Sequence, residues 1–198
     1  MQQDQYEKLT AAAAQNDYLS IAVNADGVPV SSGFIPWVRT VSAFNMKPPT
    51  LTLAAADLQN DSVMELLGRC RVQGCYIYTS LPDYGFITYF PELRDLFIRC
   101  GGQVRDLSFV RRLPGLFLFY LEDAVLPDLR PLIDNCNEGD FGPGKCFGFY
   151  HCRVGDTSAL RDVQFVLSEL LVWPVPEDSA ERWQSSVRPG VFRFHQPD

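Results

Sequence analysis

The sequence predicts an α/β solenoid, in which short parallel strands stack side by side behind an N-terminal capping segment. Three observations predict it. Leu93-x-x-Leu96-x-Ile98 returns 23 residues later as Leu116-x-x-Phe119-x-Leu121. Val104-Arg-Asp-Leu107 returns 22 residues later as Leu126-Pro-Asp-Leu129. Val104–Val110 also aligns without gaps to Leu160–Val166. A unit this short cannot bury its own apolar face, so recurrence at such a period implies that neighbours stack into one continuous core. The composition allows it: 46% of the 198 residues are apolar and 21% charged, the balance of an ordinary globular chain.

Residues 1–47 read as the cap, a helix followed by a hairpin. Ala11 to Ala14 are strong helix formers and Asn16-Asp17 suits a stop, which predicts a helix within 1–17. The apolar run Tyr18–Val23, the turn signal Asn24-Ala-Asp-Gly27 and the short run Val28-Pro-Val30 predict the hairpin. Phe34, Ile35, Trp37, Val38, Val41 and Phe44 follow at roughly helical spacing.

Residues 48–198 carry the repeat. Weaker copies of the strand phrase are Val72-x-x-Cys75-x-Ile77, Phe147-x-x-Tyr150-x-Cys152 and Leu170-x-x-Trp173-x-Val175, with Leu51-x-Leu53 and Phe192-x-Phe194 as degenerate terminal strands. Val104-x-x-Leu107-x-x-Val110 turns the chain back along the other side of the stack. Asn135–Gly144, rich in glycine and polar residues, reads as a loop inserted near 135–145. Asp178-Ser-Ala-Glu181 fits a helix start ahead of Trp183, and Arg188-Pro-Gly190 turns the chain into a last edge strand, Val191–Phe194.

The phrase LxxLxL at a period of 22 to 23 resembles the leucine-rich-repeat family over about residues 48–195. The resemblance implies a solenoid with a short parallel sheet on its concave side, and a chain that binds a protein or peptide partner rather than one that catalyses a reaction. It departs from the family after the strand, where an asparagine usually satisfies backbone groups: Cys100, Asp123 and Val154 or Gly155 stand near that place.

Charge and cysteine usage narrow the classes further. A net charge of −7 disfavours nucleic acid and anionic membranes as partners. The basic stretch Arg94–Arg112 is interrupted by Asp95 and Asp106 and reads as a solvated face. No stretch reaches the roughly 18 consecutive apolar residues of a membrane span. The polar N-terminus lacks a secretory signal, which places the protein in the cytoplasm if Met1 is the native start. Six cysteines without a CxxC read as core filler in a reducing compartment, not as a zinc or redox motif, so neither cofactor nor metal is expected.

In this register the x positions of LxxLxL face solvent. One row reads Tyr76, Phe97, Tyr120, His151 and Pro174, and the next Tyr78, Arg99, Glu122, Arg153 and Pro176. Aromatic rings flanked by charges of both signs are the composition of protein-binding hot spots. The expected partner-binding set is therefore Tyr76, Tyr78, Phe97, Arg99, Tyr120, Glu122, His151 and Arg153. A slip of phase would send these side chains to the other face. Cover by the N-terminal segment or by a second copy of the chain, as in a self-associating homo-oligomeric subunit, would hide them. The enzymatic alternative is a cysteine-dependent hydrolase using His151, which lies near Cys146, Cys152 and Asp156. Neighbours on a strand point to opposite faces, so His151 and Cys152 cannot act as one nucleophile–base pair. Gly139–Gly144 lacks the lysine and serine or threonine of a phosphate-binding loop.

Overall fold

A computed structural model describes residues 1–27, 50–99, 102, 104–139, 144–173, 183, 185 and 186. The fold is α/β, with a mostly parallel sheet and, among the described residues, three α-helices. The chain divides into two compact units, Met1–Thr79 and Ser80–Asp198.

In the first unit, helix α1 (Gln3–Gln15) ends at Asn16, which takes the left-handed conformation (φ 54°), a place where asparagine is tolerated. Strand β1 (Tyr18–Asn24) follows at once and is buried from Leu19 onwards. Its two edges pair in parallel with β2 (Thr50–Ala54) and β3 (Arg71–Ile77). A parallel strand covered on both faces reads as a near-continuous apolar run, and Leu19-Ser-Ile-Ala-Val23 does so but for the buried Ser20. With both edges taken, β1 has no place for the expected hairpin partner; Val28–Val30, like the run 34–46, lies outside the described residues. Gly27 closes the turn at φ 74°, its N–H donating to Asn24 Oδ1 at 2.5 Å. Helix α2 (Asp61–Gly68) connects β2 to β3, capped by Asn60, whose side chain accepts from the N–H groups of Ser62 and Val63. Leu51 and Leu53, expected as a terminal strand of the repeat, thus pair with the strand expected in the cap.

The second unit is built from successive coils. Its main strands β4 (Asp95–Ile98), β5 (Leu118–Glu122), β7 (Lys145–Tyr150) and β9 (Leu167–Trp173) lie in chain order, each pair parallel. The register aligns Leu96, Phe119, Phe147 and Leu170 in one inward row, and Ile98, Leu121, Phe149 and Val172 in the next. None of the eight is more than 3% exposed.

Ahead of β4 and β5 the chain runs in 3-10 turns. Bonds from N–H to the carbonyl three residues back occur at Ile87, Phe90 and Leu93 and recur at Val110, Leu113 and Leu116. That geometry puts every third side chain on one side. Leu81, Tyr84, Ile87, Phe90, Leu93 and Leu96 form one buried column; Val104, Leu107, Val110, Leu113, Leu116 and Phe119 form the next. Each return segment opens with an acidic side chain that accepts the N–H two residues on: Asp83 from Gly85, Asp106 from Ser108, Asp128 from Arg130 and Asp156 from Ser158. This column corrects the alignment of Leu160–Val166 to Val104–Val110, because Asp156 and not Asp162 takes the place of Asp106. Asp128→Ala should cost about 1 kcal/mol in urea unfolding, the usual loss for such a cap.

Between main strand and return, two coils turn a corner on one left-handed residue, Asp123 (φ 59°) and His151 (φ 51°). The corner leads into β6 (Val125–Asp128) and β8 (Arg153–Asp156), which pair in parallel as a second, two-stranded sheet. Helix α3 (Arg130–Glu138) occupies the first part of the stretch expected as a loop. Pro131 suits its first turn, and Leu132, Ile133, Asn135 and Cys136 are buried. The amide of Asn135 bonds Leu113 through both its atoms, and Asn137 holds the N–H of Gln164 and the carbonyl of Asp162. α3 thus ties together the return segments before and after it.

Candidate functional site

The side chains that alternate with the inward rows of the second unit form the other face of its sheet. The register sets Asp95, Leu118, Cys146 and Glu169 side by side, then Phe97, Tyr120, Gly148 and Leu171, then Glu122, Tyr150 and Trp173. Arg99 joins this last row through an ion pair from its Nε to Glu122 Oε2 at 3.2 Å.

The middle row is a leaning stack. Phe97 and Tyr120 lie face to face, ring centroids 4.5 Å apart and planes 9° apart. Tyr120 in turn lies over Gly148, where an added Cβ would stand 2.7 Å from its Cδ2. Glycine at 148 is what gives the ring its seat. Gly148→Ala should displace Tyr120 at a cost of about 1–3 kcal/mol, the range for overpacking, with a changed tyrosine signal in near-UV circular dichroism. Phe97 is only 5% exposed and belongs to the packing of this layer. Tyr120, Tyr150, Leu171 and Trp173 are half-buried and form the accessible apolar part of the face.

The charged rim is partly desolvated. Burial raises the Glu122 carboxyl above the usual glutamate range, with Arg99 opposing. Burial, with Glu122 next in weight, also raises the Tyr120 hydroxyl. A carboxyl raised by folding stabilises the native state below its unfolded pKa, and that contribution is lost as pH rises through the folded value. The stability of Glu122→Gln relative to the parent should therefore increase between pH 4 and pH 7, a trend that urea unfolding at several pH values reads directly.

Of the expected partner-binding residues, the fold brings Phe97, Arg99, Tyr120 and Glu122 together. Tyr76 and Tyr78 belong to the first unit: Tyr76 sits opposite Ala22 on β3, and Tyr78 lies past the strand end, its N–H donating to Val23 O at 2.8 Å. His151 and Arg153 leave the rows of the sheet, although the His151 ring stays against that of Tyr150, centroids 4.2 Å apart. His151 is the left-handed corner, with Nδ1 3.5 Å from Asp123 Oδ1, and Arg153 lies on β8 opposite Val125. Gly148 and Tyr150 stand in the places expected for them. Phe149, expected to face solvent, is 1% exposed, while Pro174 and Pro176 lie outside the described residues.

The slip is one of three residues in β7 and β9, and its cause is chemical. Phe147, Phe149, Tyr150 and Cys152 offer apolar groups in two phases, and Cys152 looked like the last inward position. It instead follows the corner, where its thiol donates to the carbonyls of Leu121 (3.3 Å) and Tyr150 (3.4 Å). Tyr150, Glu169, Leu171 and Trp173 were missed for the same reason. The strict alternation of Phe147-x-Phe149 and Leu170-x-Val172 was the signal that could have found them.

The thiols of the described cysteines sit in environments that disfavour the reactive thiolate. Burial pushes Cys70, Cys136, Cys146 and Cys152 up to about 11 and Cys75 further still. Burial thus keeps the Cys152 thiol protonated at neutral pH. His151 lies half-exposed at the surface, whereas Cys152 is 3% exposed. Among the described residues no helix is long and apolar enough to cross a membrane. Neither a protein-family profile nor any curated protein sequence matches the chain.

Proposed function

We propose that this chain is a leucine-rich-repeat solenoid that binds a protein or peptide partner, without catalysis, through the sheet face bearing Tyr120, Tyr150, Leu171 and Trp173. In-register inward rows, buried columns at three-residue spacing and a repeated acidic cap support the solenoid reading. Cys152 adds to it, since its thiol satisfies turn carbonyls in the manner the family achieves with asparagine or cysteine. The observation that carries the binding reading is the half-buried apolar set itself: two tyrosines, a leucine and a tryptophan on one face, rimmed by Arg99 and Glu122. Aromatic side chains with charge at the rim are what protein interfaces concentrate, and an apolar patch kept in water usually has a use. Thiols held protonated by burial count against the cysteine-dependent alternative, and the free, mostly buried cysteines among the described residues suit a reducing cytoplasm. A library of displayed random peptides, panned on the full chain, tests the reading. Selected peptides should lose affinity for Tyr150→Ala/Trp173→Ala while the variant melts like its parent; peptides indifferent to those changes would count against it.

One observation favours a second reading of the fold. The order β2-β1-β3 of the first unit, with α2 in the β2-to-β3 crossover, is also that of an open, doubly wound sheet, which binds ligands beyond the carboxyl ends of its strands. A rise in melting temperature on adding a flavin or adenine nucleotide would support it.

A further inference from the structure

The β9 end of this face has features that narrow the class of partner, and the argument rests on the binding reading above. β9 presents Glu169, Leu171 and Trp173 on one side, each half-buried, while Leu170 and Val172 between them are buried. Side chains on one face of a strand recur about every 6.6 Å, and an extended peptide has the same repeat, so its alternate side chains can meet these three in turn. Trp173 is flanked by Tyr150 and Leu171 by Gly148, over which the Tyr120 ring leans. These make an aromatic and aliphatic floor.

The charge beside that floor is negative. Glu122 is already engaged by Arg99 at 3.2 Å. Glu169 is half-exposed and has no ion-pair partner among the described residues. It ends the row of Asp95, Leu118 and Cys146, beside the aromatic and aliphatic floor. Together with a net charge of −7, this arrangement attracts cations and disfavours acidic sequences.

We infer that the β9 end of the face takes an extended peptide that pairs one lysine or arginine, set against Glu169, with an apolar or aromatic side chain set against Leu171 and Trp173. The basic group supplies specificity and speeds encounter, and the apolar one supplies the buried contact.

Panning a random peptide library on the full chain, followed by fluorescence anisotropy with synthetic copies of the winners, tests this. Winners should carry Lys or Arg two or four positions from an apolar or aromatic residue. Glu169→Gln should weaken them about tenfold and flatten their salt dependence, and Glu169→Lys should shift selection towards acidic peptides. Winners that depend on Trp173 and Tyr150 but lack a basic residue, or that bind Glu169→Gln unchanged, would overturn the partner class while leaving the binding surface standing. Winners indifferent to Trp173 and Tyr150 would overturn both.

Discussion

Phe119→Ala is expected to lower the unfolding free energy by about 3–5 kcal/mol, the range for removing a buried phenylalanine side chain. The ring is completely buried. It ends the column running from Val104 through Leu116, stands in register with Leu96 and Phe147, and leans on Phe149 at 5.9 Å. One ring therefore serves the cores of three successive coils, and its loss leaves a cavity that none can fill alone. Phe119→Leu, which keeps most of the volume, should cost clearly less. Guanidinium unfolding followed by far-UV circular dichroism measures both, and an alanine variant within 1 kcal/mol of its parent would contradict the shared-core geometry.

The second large effect concerns a polar residue. Asn135→Ala should cost about 1–3 kcal/mol, because it removes two buried hydrogen bonds to Leu113, whose N–H and carbonyl then keep only their turn bonds with Val110 O and Leu116 N–H. The Asn135 amide accepts from Leu113 N at 3.2 Å and donates to Leu113 O at 2.8 Å, and the residue is 4% exposed. Asn137→Ala removes a similar pair of bonds to Asp162 and Gln164 in a more exposed setting, where water takes their place. It should cost well under half as much. A reversal of that order in urea unfolding would show that α3 is not held from the side of the preceding coil.

These two residues also show what the sequence could reveal. Phe119 was legible, because LxxLxL and the three-residue spacing of Val104, Leu107 and Val110 are one-dimensional patterns that report buried columns directly. Asn135 was not, since a polar stretch beside glycines reads as a loop, and only the carbonyl and N–H of a preceding coil turn its amide into a core contact. The cap showed the same division. The helix and first strand stood out from alanines and an apolar run, but the partners of that strand come from residues 50–54 and 71–77, and local turn chemistry does not encode so distant a pairing. The face was half legible. Phe97, Arg99, Tyr120 and Glu122 followed from two clean repeats; in β7 the aromatic-rich run supported two phases, and the corner thiol of Cys152 was taken for a core position. His151 and Arg153 stand in the expected rows at places that Gly148 and Tyr150 hold on the sheet, and Tyr150, Leu171 and Trp173 are absent from the expected set.

The distinction between packing and contact residues on this face has a direct consequence. Phe97, 5% exposed and stacked on Tyr120, should report on stability when changed, whereas Tyr150 and Trp173 should report on binding. The measurement that tests the account most directly is the affinity of a selected peptide for Tyr150→Ala/Trp173→Ala, read beside that variant's thermal unfolding. The expected result is about a tenfold or greater loss of affinity, as for central aromatic contacts, with cooperative unfolding retained near the parent's midpoint. Unchanged affinity, or a variant that no longer unfolds cooperatively, would contradict it.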